Sequence, residues 1–297
     1  MSPAAAIVIG IATAGRREQV SLTLQQLAGQ LQLPRRIVVC PAGADDLDEA
    51  ALPALGCPID VVRGPRGLTA QRNTILAACT DADVVIFFDD DYYPAPDYVQ
   101  QVAALFAAHP DIVVATNHPV RDGATGPGIP HAEAVALIES LPPPHARARI
   151  SDTYGGYGCN MSVRLQPVRE YQVLFDVNLP LYGWLEDIDF SRRIAAHGRV
   201  VHCSVLRGVH LATKRGRTSG LRFGYSQIAN PLYLLNKGSM SRSYAWRHMA
   251  SNIAKNLARW PWPEPWVDRR GRLRGNLIAL RDWLHSALDP RRVEQLD

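Results

Sequence analysis

Residues 84–92 read Val84-Val85-Ile86-Phe87-Phe88-Asp89-Asp90-Asp91-Tyr92, and this stretch decides the fold class. Five apolar, β-favouring residues in succession predict a strand buried on both faces, as in a parallel sheet covered by helices. The strand stops at three carboxylates. In open α/β sheets ligands bind at the carboxyl ends of the strands. Three acids crowded there repel one another unless something positive lies between them. A hard divalent cation, Mn²⁺ or Mg²⁺, takes oxygen ligands and also binds the phosphates of a substrate. A solvated acidic turn is the competing reading of these nine residues taken alone.

Outward from this strand the chain alternates. Strands are predicted near 5–11, 35–40, 59–63, 83–88 and 111–116. The segments 17–31, 68–79 and 96–108 between them carry apolar residues at helical spacing, as at Leu22, Leu24, Leu27 and Leu31. Such alternation implies an α/β fold, a mostly parallel sheet flanked by helices. Pro94 and Pro96 close the acidic turn and open the next helix. Pro/Gly-rich connections at 118–130 and 141–153 lie either side of a short helix at about 131–140. From 241 the pattern turns helical, with helices near 242–258 and 273–288 around a Pro/Trp-rich stretch at 260–266. The expected division is therefore a domain over 1–240 and a helical C-terminal extension over 241–297.

A second acidic element follows about a hundred residues later: Tyr182-Gly183-Trp184-Leu185-Glu186-Asp187-Ile188-Asp189-Phe190-Ser191-Arg192-Arg193. Acids are favoured in the first turn of a helix, and Asp189 with Arg193 is a stabilising i,i+4 pair. That structural reading covers Asp189 and Glu186. It explains less well the glycine and tryptophan that open the element, which suit close backbone contact and an aromatic wall for a ligand.

Composition sets limits. A chain of 297 residues that is 47% hydrophobic can bury a full core. Cysteines 40, 57, 79, 159 and 203 are odd in number with no C-x-x-C pair, a poor disulfide or zinc framework that suits a reducing, cytoplasmic compartment. No cationic leader precedes the first apolar residues, so no signal peptide is expected, and no apolar run reaches the length of a bilayer span. No G-x-G-x-x-G follows the first strand, against a dinucleotide oxidoreductase. The net charge of +4 is modest, and no nucleic-acid partner is expected. The tail from Ser241 interleaves arginines with Trp246, Trp260, Trp262, Trp266 and Trp283. It suits peripheral contact with an anionic membrane, or equally a packed helical extension or dimer contact.

Taken together and in order, these elements resemble glycosyltransferase family 2. Ile7–Thr13 matches that family's first strand and Thr13-Ala14-Gly15-Arg16 its nucleotide-facing turn. Gly67-Leu68-Thr69-Ala70-Gln71-Arg72-Asn73 matches its Gly-x-x-x-Ala-Arg-Asn element, and Gly155–Met161 its acceptor-side segment. The acid cluster and the Gly183–Arg193 element complete a likeness over most of residues 5–240. The resemblance implies a GT-A fold and an inverting, metal-dependent transferase.

It also implies roles. Asp91 would ligate the metal, with His210 as a further ligand, although a lone histidine is also an ordinary core or surface residue. Asp89 would meet the ribose or a metal-bound water, and Asp90 falls within the same donor site without a fixed role. Asp187 would be the general base. Glu186 would orient the acceptor or the helix start, and Trp184 would wall the approach. Thr13 and Arg16 would hold the nucleotide base. Arg72 would reach the acidic cluster or the diphosphate. After the second strand the chain departs from the family, with Cys40-Pro41-Ala42-Gly43-Ala44-Asp45-Asp46 where an Asp-x-Gly-Ser-like turn is common; either Asp45 or Asp46 takes over the base contact there, or the base is held differently. From the residues alone, Lys214-Arg215-Gly216-Arg217-Thr218-Ser219-Gly220 reads as a basic loop able to close over a diphosphate, or as a solvated charge run. The donor expected is a nucleotide sugar, with a UDP-sugar favoured, and the acceptor a glycan or polyprenyl-linked glycan at the inner face of a membrane. Two alternatives stay open. A sugar-nucleotide pyrophosphorylase would have no use for Trp184–Asp187. A non-catalytic sugar-nucleotide or glycan-binding protein is opposed by the joint presence of Asp89, Asp91 and Asp187.

Overall fold

A computed structural model describes residues 5–143, 148–214, 216 and 218–297. In chain order the elements are β1 (Ile7–Thr13), α1 (Arg17–Leu27), β2 (Arg36–Pro41), β3 (Ile59–Val61), α2 (Leu68–Ala78), β4 (Val84–Asp89), β5 (Tyr92–Pro94), α3 (Tyr98–Ala108), β6 (Ile112–Thr116) and β7 (Arg121–Asp122). They continue with α4 (His131–Glu139), β8 (Ile150–Asp152), β9 (Asn160–Arg164), α5 (Leu165–Glu170), α6 (Glu186–Ile194), β10 (Arg199–Cys203), β11 (Gly208–His210), α7 (Gly220–Lys237), α8 (Arg242–Ala258) and α9 (Arg269–Leu284).

The main sheet runs β3-β2-β1-β4-β9-β6-β10-β8. It is mostly parallel, as expected, with β9 antiparallel to both its neighbours and β8 antiparallel to β10. Side chains alternate across it with period two. Ile7, Ile9 and Ile11 with Val84, Ile86 and Phe88 pack one face against α1 and α3. Val8, Val85 and Phe87 pack the other against α2 and α6. This double burial is why the 84–88 run carries no polar residue. β9 was not predicted. Its five residues include Asn160 and Ser162, both buried, and this polar content hides a central strand from hydrophobic patterning.

A second sheet, β5-β11-β7, has only two or three residues per strand. It places His210 across from Tyr92 on one side and Asp122 on the other. Its function is positional: it carries a histidine from far along the chain to the end of the acid cluster.

The last three helices form their own layer around Tyr225, Ile228, Leu232, Met249 and Ala279. α7, which lies within the 1–240 stretch, belongs to this layer. A Cβ on Gly275 would fall 2.1 Å from the Leu221 carbonyl oxygen, so glycine lets α9 lie flush on α7. A buried amide network joins the layer: Asn276 Nδ2 donates to the Gly224 carbonyl (2.7 Å) and Asn256 Nδ2 to Gln227 Oε1 (2.9 Å). The five cysteines are unpaired. Among the described residues no helix is long and apolar enough to cross a membrane.

Candidate active site

Pairing of Ala12 with Asp89 sets the turn after β1 beside the end of β4. Asp90 turns inward and is 4% exposed. It accepts from Thr13 Oγ1 (2.7 Å) and Arg16 Nη1 (2.8 Å). Burial pushes its carboxyl up to about 7, against the pull of Arg16. Both oxygens are thus engaged within the fold, and Thr13 and Arg16 face the acid cluster.

Asp91 is also buried, at 1% exposure. Burial opposes its charge, but His210, Arg16 and the Thr213 N–H hold it well below the usual carboxylate range. Its Oδ2 accepts from Thr213 N (2.7 Å) and Arg16 Nη1 (3.2 Å). Its Oδ1 has no hydrogen-bond donor among the described residues and lies 3.5 Å from His210 Nε2. The same nitrogen is 3.9 Å from Asp89 Oδ2. Asp89, Asp91 and His210 each offer an atom within 4.8 Å of the others. Two carboxylates, one of them with a buried oxygen left without a donor, and an imidazole fit a divalent cation.

Asp122 completes this arrangement, and sequence reasoning missed it. Its Oδ1 is 2.9 Å from His210 Nδ1, while Tyr157 Oη (2.7 Å) and Ala124 N (2.8 Å) donate to its two oxygens. A carboxylate on the far nitrogen fixes the tautomer and aims Nε2 at a metal. Burial opposes the imidazolium, yet Asp122, Asp91 and Asp89 push His210 up to about 10 in the metal-free site.

The second acid pair begins α6. The backbone reaches it through left-handed conformations at alternate residues, Leu181 (φ 57°), Gly183 (φ 61°) and Leu185 (φ 73°); such strain at non-glycine residues is typical of functional segments. Glu186 is buried, accepts from Arg72 Nη1 at 2.6 Å, and burial pushes it well above its ordinary range. Arg72, 2% exposed, also donates to the Gly158 carbonyl (2.7 Å) and Asp89 Oδ1 (3.2 Å). It therefore reaches both acid clusters. Among the described residues Asp187 accepts from backbone donors, Gly158 N (2.9 Å) and Ile188 N (2.8 Å). Burial raises its carboxyl. A side chain at Gly158 would crowd Glu186, Arg72 and Asp187 within about 3.3 Å. Asp189 bonds Arg193, Lys237 and Ser239, a structural role.

A pocket of about 270 Å³ opens beside these groups, lined by Thr13, Arg16, Asp89 and Asp90. Arg66 and Gln71 from around α2, Tyr182, and Arg222 from the first turn of α7 also line it. Gln71 Nε2 ties the ends of β1 and β2 through the Thr13 and Cys40 carbonyls (3.0 and 2.6 Å). Periodicity gave no reason to single out Arg66, Gln71 or Arg222. Of the two acids after β2, Asp45 is exposed, whereas Asp46 Oδ1 accepts from Gly15 N (2.6 Å) and braces the nucleotide-facing turn. Trp184 packs its ring against Phe223 and His248, with centroids 5.7 and 6.1 Å away. Lys214 Nζ donates to the Gly123 carbonyl (3.2 Å) behind the metal-competent group. Arg217 lies outside the described residues. His202 stacks on His118 in β10, 4.6 Å between centroids.

The sequence model described as glycosyl transferase family 2 matches residues 8–171. No curated protein sequence matches. The fold is similar to S. aureus TarS 1-349 in complex with UDP-GlcNAc (TM-score 0.55, 16% identity, 98% of this chain and 83% of that one). It is also similar to the mannosyltransferase PcManGT from Pyrobaculum calidifontis in complex with GDP-Man and Mn²⁺ (0.55, 13%, 98% and 86%). A third likeness is to GalNAc-T7 with UDP, GalNAc and Mn²⁺ (0.56, 12%, 98% and 57%). This chain spans 42% of a longer TarS chain. Family-model coverage of over half the chain and a GT-A architecture lead to one assignment: the chain belongs to glycosyltransferase family 2.

Proposed function

We propose that the protein transfers a sugar, with inversion, from a nucleoside diphosphate, UDP favoured, to a hydroxyl of a glycan or polyprenyl-linked glycan. The observation that carries this is the placement of Asp89, Asp91 and His210 beside the pocket at the ends of β1 and β4, with Asp187 linked to them through Arg72 and Gly158. These three residues would hold the cation, and the imidazole among them favours Mn²⁺ over Mg²⁺. When bound, the ion supplies positive charge to a departing diphosphate.

The chain's own groups do the rest. Thr13 and Arg16 keep Asp90 neutralised and shape the floor of the donor pocket. Arg66 adds positive charge at its rim, while Arg222, which also lines it, turns its guanidinium to the Leu296 carbonyl and Asp297. Asp187 takes the acceptor's proton as the new C–O bond forms and the bond to diphosphate breaks. Its two backbone donors aim the carboxylate, and burial makes it a stronger base than a solvated aspartate. With one displacement and no covalent intermediate, an α-linked donor gives a β-linked product.

The test is a panel of UDP-, GDP- and dTDP-sugars with Mn²⁺, following nucleoside diphosphate release with and without an oligosaccharide or polyprenyl-linked acceptor. Acceptor-stimulated UDP release is expected. Formation of a nucleoside triphosphate from pyrophosphate and a nucleotide sugar would identify a pyrophosphorylase instead. Inertness toward every donor would reject the transferase reading.

A further inference from the structure

Charge is unevenly distributed along this chain. Residues 241–281 hold nine Lys and Arg against two acids, a net +7, so the remainder carries −3 of the total +4. Both acids are used internally. Glu264 pairs with Arg269 through two bonds of 2.9 Å, and Asp268 caps α9 by accepting from Gly271 N at 2.7 Å. The outward field of this segment is therefore cationic.

The cations are arranged with apolar groups. On α9, Gly275, Asn276, Ala279 and Asp282 are buried toward the protein. The opposite positions, Arg270, Arg274, Leu277, Arg281 and Leu284, are all exposed and recur at intervals of three and four, a single stripe about 21 Å long. Leu277 and Leu284 are 60% and 76% exposed. At the start of the stripe the Arg270 guanidinium lies over the Trp260 ring, 5.6 Å from its centroid. The adjoining Trp260-Pro261-Trp262-Pro263-Glu264-Pro265-Trp266 loop, stiffened by three prolines and the Glu264–Arg269 pair, presents Trp262 at 81% exposure.

We propose that the α9 stripe and the Trp260–Trp266 loop form a docking face for an anionic lipid bilayer. Arginine is drawn to acidic headgroups, and tryptophan and leucine settle at the headgroup–acyl boundary. The exposed leucines favour a bilayer over nucleic acid, since they offer nothing to a phosphodiester backbone. The helix that carries the face connects to the candidate site: α9 packs flush on α7, whose first turn lines the pocket through Arg222. This deepens the lipid-linked acceptor part of the proposed function, but its test needs no transfer chemistry.

The full chain is mixed with vesicles of phosphatidylcholine alone and with 30% phosphatidylglycerol, at low and high salt. Binding is expected only to the anionic vesicles, weakening with salt, with a blue shift of tryptophan emission that is reduced in Trp262→Ser. Arg274→Glu/Arg281→Glu should lower vesicle affinity at least about tenfold while leaving the circular-dichroism melt unchanged. Equal binding to neutral vesicles, unchanged affinity of the double variant, or binding to single-stranded RNA with vesicles ignored would each overturn the proposal. Vesicle binding without any nucleotide-dependent activity would uphold this face and reject the transferase reading; the reverse result would do the opposite.

Discussion

At the end of β4 three consecutive carboxylates meet an arginine, a histidine and a hydroxyl, whereas at the start of α6 Glu186 and Asp187 meet an arginine and two backbone N–H groups. In both places one acid is spent on an arginine: Asp90 on the partly buried Arg16, Glu186 on the fully buried Arg72. The acids left over differ. Asp89 and Asp91 converge with His210, each offering a ligand atom within 4.8 Å of the others. Asp187 has no cationic hydrogen-bond partner among the described residues; two backbone N–H groups hold it and Arg72 acts on it only through space, in a setting where burial raises its proton affinity. One cluster is suited to hold a cation and the other to accept a proton.

The largest effect should come from breaking the proton-accepting side. Asp187→Asn is expected to lower turnover by about 10²–10⁴ while metal-dependent UDP affinity stays within twofold or so; loss of nucleotide binding along with turnover would merge the two clusters into one site. Wild-type turnover should rise with pH through the raised Asp187 pKa and then level off, and this acid limb should vanish in the variant. Stability should move the other way. A carboxyl whose folded pKa is raised stabilises the protein most below its unfolded pKa, near 4, and loses that contribution as pH rises through the folded value. Asp187→Asn should therefore melt higher than wild type at pH 8, with the gap closing toward pH 4.

Asp122→Ala sharpens the cation-holding side with a smaller effect. Loss of the carboxylate behind His210 should weaken Mn²⁺ binding about 10- to 100-fold, measured directly by metal titration, with Asp122→Asn retaining part of the affinity. Equal affinity in all three proteins would remove Asp122 from the arrangement. The smallest effect is a proton count. With His210 raised to about 10 in the metal-free site, its imidazole is charged at pH 7.5 and must lose that proton to ligate through Nε2. Calorimetric titration of Mn²⁺ in buffers of different ionisation enthalpy should show close to one proton more released by wild type than by His210→Ala.

The same contrast governs what could be read from the chain. Among the described residues the parallel strands of the main sheet are short, and β1, β2 and β4 are rich in Val, Ile and Phe buried on both faces. Their boundaries follow from composition. Asp89 and Asp91 were legible because they sit at the end of such a run, and Asp187 because it opens a helix after an unusual Gly-Trp pair. Asp122 was not, because the two-residue strand β7 that places it has no periodicity to detect. Arg222 was hidden for a different reason. It lines the pocket from the start of α7, a helix that packs on α9 at Gly224 and Gly275, a contact between residues some fifty positions apart that no local pattern encodes. Trp184 shows the converse: its position in the motif suggested a wall for the acceptor, yet its ring packs against Phe223 and His248 at the boundary with the helical layer.

The most direct measurement is calorimetric titration of UDP into the full chain, with Mn²⁺ and with EDTA, alongside Asp91→Ala. A cation held by Asp89, Asp91 and His210 predicts UDP binding that requires Mn²⁺ and is lost in the variant. UDP binding of equal strength in EDTA, or retained with Mn²⁺ in Asp91→Ala, would contradict it.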